Sequence, residues 1–336
     1  MPRIPIKQYL EEDPSRVLVM DGGQGTEMEN RGIVVASPVW SAAPFLDQEA
    51  WQHPNSRERA IVASVLRDFV AAGADVVMTI TYQASFTSVT SNTGITTLQE
   101  YNALLDRIVG FCRQTVGDDK YLIGSIGAWG AHVCAEFTGD YGARPDLIDY
   151  LAYFKPQLDN FNAQPALDLI GFETIPNAHE LRAILSWDES VISKPFYVAL
   201  SVHDAGTLRD GTSMADVAAI VAAAAPLNKN FIGLGINCSS LSHTPAILAD
   251  LHAYLPTLPM TIYPNSGEIY DPVEKVWNAS PHIADWDAVV ASYIRSGARI
   301  IGGCCRTTPQ DIRQIADAVR AQTTASSTDT RGVSSP

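Results

Sequence analysis

The chain has 336 residues, 46% of them hydrophobic, and a formal charge of −14. That much apolar material fills a large α/β core, and an acidic chain without a basic block excludes nucleic acid and anionic membrane as partners. No apolar run approaches the roughly 18 residues of a membrane span, and residues 1–14 lack the apolar centre of a signal peptide. Five cysteines, an odd number, argue against a disulfide framework and for a reducing, cytoplasmic setting.

In chain order, Val17-Leu18-Val19-Met20 is a short apolar run that stops at Asp21-Gly22-Gly23-Gln24. The same grammar recurs at Val76-Val77-Met78, Leu122-Ile123-Gly124-Ser125, Leu169-Ile170-Gly171-Phe172 and Tyr197-Val198-Ala199-Leu200. It returns at Ile232-Gly233-Leu234-Gly235-Ile236, at Thr261-Ile262-Tyr263 and at Ile300-Ile301. Continuous apolar runs of this length predict parallel strands buried on both faces. Between them lie segments of helical period. Ile61, Val65, Leu66 and Phe69 share a face, as do Leu98, Tyr101, Leu105, Ile108 and Cys112, and then Leu147, Leu151, Phe154 and Leu158. Shorter candidates cover 178–185, 215–224, 245–254, 286–295 and 309–320.

Strand then helix, about eight times, predicts a (β/α)8 TIM barrel over residues 1–322, with a long loop after the first strand. That loop, 33–53, carries Trp40, Pro44 and Trp51 and is expected to fold over the barrel mouth. Residues 323–336 are Ser/Thr-rich and are expected to form a disordered tail. A doubly wound sheet is the alternative, but Gly22-Gly23-Gln24-Gly25 lacks the spacing of a dinucleotide-binding turn.

Catalytic groups of such barrels stand at strand C-terminal ends. That rule selects Asp21, Thr81, Tyr82, Gly127, Glu173, Ser201, Asn237, Cys238, Asn265, Cys304 and Cys305. Cys304 and Cys305 can converge on one point only where a strand has ended, and Gly302-Gly303 supplies the backbone freedom. With Cys238 they make three soft donors for Zn2+, and three ligands leave a position open. Three thiolates weaken the ion as an acid towards water, so a thiol substrate fits better than hydrolysis. Zinc would hold that thiol deprotonated, and sulfur alkylation follows. Asp21 and Glu173 gain a purpose from an amino-acid substrate, whose ammonium needs anionic acceptors. The Gly22-Gly23-Gln24 N–H groups are expected to nest its carboxylate.

Taken together, Met20-Asp21-Gly22-Gly23-Gln24-Gly25-Thr26-Glu27, Thr81-Tyr82-Gln83-Ala84, Gly171-Phe172-Glu173-Thr174-Ile175-Pro176-Asn177, Gly235-Ile236-Asn237-Cys238, Tyr263-Pro264-Asn265-Ser266-Gly267-Glu268 and Gly302-Gly303-Cys304-Cys305-Arg306 form a recognisable series. The chain resembles the homocysteine S-methyltransferase family, zinc-dependent barrels that methylate homocysteine to methionine. The resemblance implies Cys238, Cys304 and Cys305 as zinc ligands and catalytic centre. It implies Asp21 and Glu173 on the homocysteine amine, Gly22 and Gly23 near its carboxylate, and Asn237 at the substrate. The Tyr-Gln-Ala and Asn-Ser-Gly-Glu stretches resemble the branch using S-methylmethionine or S-adenosylmethionine more than the betaine-using branch. One segment departs from the pattern: Ala128-Trp129 replaces the family's usual Pro-Tyr, and the loop 132–137 is shorter. The partners implied are two small molecules, homocysteine and a methyl donor. Competing readings are a lyase or isomerase with Gly302-Gly303 as a phosphate cradle, and a redox-sensing cysteine module.

Overall fold

The computed structural model of the protein describes residues 3–47, 51, 53, 55–271, 276–278 and 285–329. The apolar runs become parallel strands β1 (Leu18–Val19), β2 (Val76–Met78), β3 (Tyr121–Gly127), β4 (Leu169–Ile175), β5 (Phe196–Leu200), β6 (Phe231–Asn237) and β7 (Met260–Tyr263). An antiparallel ribbon of β8 (Ile269–Asp271) and β9 (Val276–Asn278) follows, and β10 (Ala298–Ile301) completes the sheet. The strand order is β1-β10-β7-β6-β5-β4-β3-β2. Closure comes from Met20, which bridges Val76 in parallel, while the Asp21 N–H reaches Val76 O at 3.0 Å. Asp75 reinforces this seam: its N–H donates to Val19 O at 2.7 Å and its carboxylate accepts from Val19 N at 3.1 Å. The expected (β/α)8 barrel is therefore the fold.

Two apolar shells hold it. Inside the barrel, Met20, Met78, Ile123, Tyr197, Tyr263 and Ile300 form one cluster, with the Tyr197 and Tyr263 hydroxyls 3.2 Å apart across the lumen. Outside, Val77, Leu122, Ile170, Phe172 and Val198 bury their side chains under the helices. Each such side chain contributes about 1.5–3 kcal/mol by leaving water. Helix ends follow their sequence signals. Ser56 caps Arg57–Ala72, which Gly73 ends at φ +116, and Thr97 with Glu100 forms a capping box on Leu98–Val116.

The long first loop folds as expected at its start. Trp40 opens a 3-10 helix (Trp40–Leu46), lies against Gly25 and meets Tyr82 edge-on at 6.1 Å. Its end turns outward, with Phe45 stacked on Trp51 at 4.2 Å. No element is expected before Val17, yet Ile6–Glu12 is a helix, and its Ile6 and Leu10 plug the barrel floor. Arg299, at the start of β10, fixes that plug by donating to the carbonyls of Leu10, Asp13 and Arg16. Leu147 corrects another expectation. It lies in a short 3-10 turn and is 68% exposed, because Asp149 caps the helix and starts it at Tyr150. The final helix runs Pro309–Asp329, and 330–336 fall outside the described residues.

Candidate active site

Neighbouring strand ends bring the sulfurs together. Cys238 follows β6 with φ +47, a left-handed backbone rare outside glycine. Its N–H donates to Tyr263 O at 3.3 Å. Past β10, Cys304 N donates to Pro264 O at 2.7 Å and Thr307 N to Cys304 O at 3.1 Å. Ser266 N holds Cys305 O at 3.2 Å, so the turn after β7 supports both cysteines. The three Sγ atoms of Cys238, Cys304 and Cys305 all lie within 4.8 Å of one another. Cys112 is buried in the helical layer and Cys134 is exposed, both away from this cluster.

The Cys238 and Cys304 sulfurs lie against each other, with Cα atoms 5.5 Å apart, while Cys305 is a free thiol. Sulfurs directed at one point come within bonding reach of each other, so the same set can close oxidatively or hold a metal, but not both at once. As a metal site the donors fit. Burial pushes the Cys305 thiol up to about 12, so a thiolate there calls for a cation. Three sulfur donors at this spacing suit a soft divalent ion.

Two buried carboxylates share the mouth. Asp21, fully buried at the end of β1, accepts from Gln24 Nε2 at 2.5 Å and from the Met78 N–H at 3.4 Å. Burial holds its pKa well above the usual carboxylate range; the Gln24 and Met78 donors oppose this, and the Glu173 charge adds to it. Glu173, 4% exposed on β4, accepts from the Ser125 hydroxyl. Burial pushes it up to about 7, against the stabilising Ser125 and Tyr263 hydroxyls. Neither acid has a Lys or Arg partner among the described residues. An unpaired pair of buried acids is a receptor for a cation brought by a ligand.

Other expected site residues have mainly architectural contacts. Gly22 and Gly23 permit close approach: a Cβ on Gly22 would lie 2.5 Å from Thr307 O, and one on Gly23 would lie 2.6 Å from Cys304 O. The expected anion nest is corrected, since Gly23 N already donates to Thr307 O and Gln24 N to Gly22 O. Asn237 accepts from Thr174 N and donates to the Thr174 hydroxyl, both at 2.8 Å, and reaches Cys238 Sγ at 3.5 Å. It thereby steadies Thr174, itself at φ +62, and ties β4 to the sulfur cluster. Such left-handed residues are each strained by about 1–3 kcal/mol and collect at functional sites. His203, after β5, is exposed.

Residues 18–319 match the sequence profile described as homocysteine S-methyltransferase. The chain belongs to the homocysteine S-methyltransferase family. It is 58% identical over 325 residues to homocysteine S-methyltransferase 2 of Saccharomyces cerevisiae, covering 96% of this chain and all of that protein. Homocysteine S-methyltransferase 1 of the same yeast is 55% identical, over 95% of this chain and 99% of its own length. The homocysteine methyltransferase MmuM of Escherichia coli, in its metallated form, superposes with a TM-score of 0.71 at 27% identity, covering 94% of this chain and 99% of that one. The oxidized form of MmuM superposes at 0.70.

For a homocysteine S-methyltransferase, the phosphate-cradle alternative has no room. Gly302 packs on Met20 and the Asp21 carbonyl, and Gly303 on the Thr307 side chain. Among the described residues no helix is long and apolar enough to cross a membrane. Several site groups carried no clear sequence signal: Ser125 under Glu173, Gln24 on Asp21, Thr174 on Asn237, and Arg306 paired with Glu268 at 2.5 Å.

Proposed function

We propose that the protein transfers a methyl group from a sulfonium donor, S-methylmethionine or S-adenosylmethionine, to the thiol of homocysteine, giving methionine, and that it does so in the cytoplasm. Cys238, Cys304 and Cys305, in their reduced form, would hold Zn2+. When bound, the ion supplies Lewis acidity that keeps the substrate thiol deprotonated near neutral pH. Asp21 and Glu173 take the homocysteine ammonium. Gln24, Met78 N and Ser125 orient the two carboxylates, so the amino-acid end is fixed while its sulfur reaches the open side of the cysteine cluster.

Methyl transfer then forms one carbon–sulfur bond on homocysteine and breaks one on the donor, in line. The donor leaves as a neutral thioether, and the thiol proton has been released beforehand. Two opposite charges are quenched as the bond forms, so a dry mouth favours the transition state over the separated ions. The observation that carries this reading is a three-sulfur cluster at the same end of the barrel as two buried acids that have no Lys or Arg partner among the described residues. The test is a zinc-loaded, reduced assay of methionine release from homocysteine with S-methylmethionine, S-adenosylmethionine and betaine in parallel. Turnover with a sulfonium and none with betaine is expected; turnover with betaine alone overturns the donor assignment.

A further inference from the structure

The segment after β3 carries a carboxylate that the reaction as described does not use. Glu136 sits in a turn closed by Ala135 N to Gly130 O at 2.7 Å and Gly139 N to Ala135 O at 2.8 Å. Asn177 Nδ2 holds Gly139 O at 3.1 Å, and the Arg209 guanidinium lies 5.7 Å from the Phe137 ring. Upstream and downstream, Glu180 binds Trp129 N at 2.5 Å and the Tyr141 hydroxyl. The turn is therefore fixed at both ends. Within it, Glu136 Oε2 is shut off from solvent and has no hydrogen-bond partner among the described residues.

Tyr82 locates this group. Its ring packs on Gly127, where β3 ends, and Trp40 meets it edge-on. Glu136 lies in the loop that leaves the C-terminal end of β3, where Gly127 pairs with Glu173, so it stands at the same end of the barrel as the sulfur cluster, and its charge acts on the Tyr82 hydroxyl. A buried carboxylate oxygen without a partner on a fixed turn is costly unless a ligand completes it. Asp21 and Glu173 already serve homocysteine, which leaves the second substrate.

We propose that Glu136 is a specificity-determining residue that takes the α-ammonium of an amino-acid sulfonium donor. This rests on the sulfonium reading above. The ammonium is the favoured target because its charge is unchanged through the reaction, whereas the sulfonium charge disappears. An anion beside the sulfonium would stabilise the bound donor more than the transition state and slow transfer. An anion beside the ammonium stabilises both equally, so it lowers the donor KM and leaves kcat alone. Burial raises Glu136 to about 6, a value that leaves it ionised near neutral pH and ready to pair.

The test pairs Glu136→Gln with S-methylmethionine and its desamino analogue, 4-(dimethylsulfonio)butanoate, on zinc-loaded enzyme. The variant should raise the S-methylmethionine KM by roughly 10- to 100-fold, the range for losing a charged hydrogen bond. Its kcat, homocysteine KM and zinc content should stay as in the wild type. Removing the amine from the donor should cost the wild type the same factor, and the variant should lose nothing more with that analogue. Glu136→Asp, which keeps the charge, should recover part of the loss, as a purely structural role would not. An unchanged S-methylmethionine KM, or equal losses for both donors in the variant, overturns the assignment. The wild-type comparison alone does so if the two donors are used equally. A wild type that turns over neither sulfonium refutes the donor reading and this proposal with it, whereas an active wild type with uncoupled losses refutes Glu136 alone.

Discussion

Replacing Glu180 with Gln isolates one buried titration from the rest of the molecule. Glu180 is fully buried, accepts from Trp129 N and the Tyr141 hydroxyl, and is raised by burial from 4.5 to about 7. The folded protein thus holds this proton more tightly than the unfolded chain does. Between those two values the unfolded state binds fewer protons, so the group's stabilising contribution is complete below about pH 4.5 and is lost as pH rises through about 7. At about 1.4 kcal/mol per pKa unit, the loss approaches about 3.5 kcal/mol at most. A neutral amide keeps an acceptor for Trp129 N and does not titrate. The stability of Glu180→Gln minus wild type should therefore climb by roughly 2–3 kcal/mol from pH 5 to pH 8. Urea unfolding of both proteins, equally reduced and equally zinc-loaded, measures it. Glu173, Asp21 and the metal titrate in both and cancel in the difference. A difference that stays flat across that range, or falls, refutes the reasoning.

Cys304→Ser should lose bound zinc and methyl transfer together; full turnover by metal-free variant would remove the sulfur cluster from the mechanism. Glu173→Gln should raise the homocysteine KM roughly 10- to 100-fold, by loss of a charged hydrogen bond, while zinc content holds. An unchanged KM excludes that role. Gly23→Ala would place a Cβ 2.6 Å from both Cys304 O and Thr26 Oγ1, so the cysteine turn must move. Overpacking of this kind costs about 1–3 kcal/mol, and zinc affinity should fall with thermal stability; wild-type zinc affinity would show that the turn tolerates displacement.

The barrel was legible because strands buried on both faces are written as unbroken apolar runs, and the β-strand cores follow those runs closely. Cys238 with Cys304-Cys305 was legible for a related reason: each follows a strand directly, so topology alone brings them to one end. What lay hidden depends on pairs distant in sequence. Glu180 begins a helix and reads as a first-turn acid, yet it binds Trp129 and Tyr141, 51 and 39 residues away. Trp129, where the chain departs from the family pattern, packs edge-on against Tyr141 at 4.7 Å. Glu136 in a loop looks like any solvated acid until the turn around it is closed. The helix Ile6–Glu12 has too few apolar positions to announce itself, and the open barrel floor, not its own periodicity, makes it worth burying.

Closure of the barrel and assembly of the site are one structural event. β1 spans only Leu18–Val19, and its continuation carries the seam through Met20 and Asp21 to Val76. The same Asp21 accepts Gly303 N on its carbonyl at 3.1 Å, which locks the turn bearing Cys304. Gly23 N on Thr307 O and Arg306 N on the Thr26 hydroxyl, each at 2.9 Å, complete the stitch between first and last strand turns. The buried acid Asp21 and two of the three sulfurs therefore stand on segments joined by the closing of the sheet. Because the seam is short, an ion bound across Cys238 and the Cys304-Cys305 turn would tie β6 to the closing strand, so metal affinity and barrel stability are linked through the same backbone contacts.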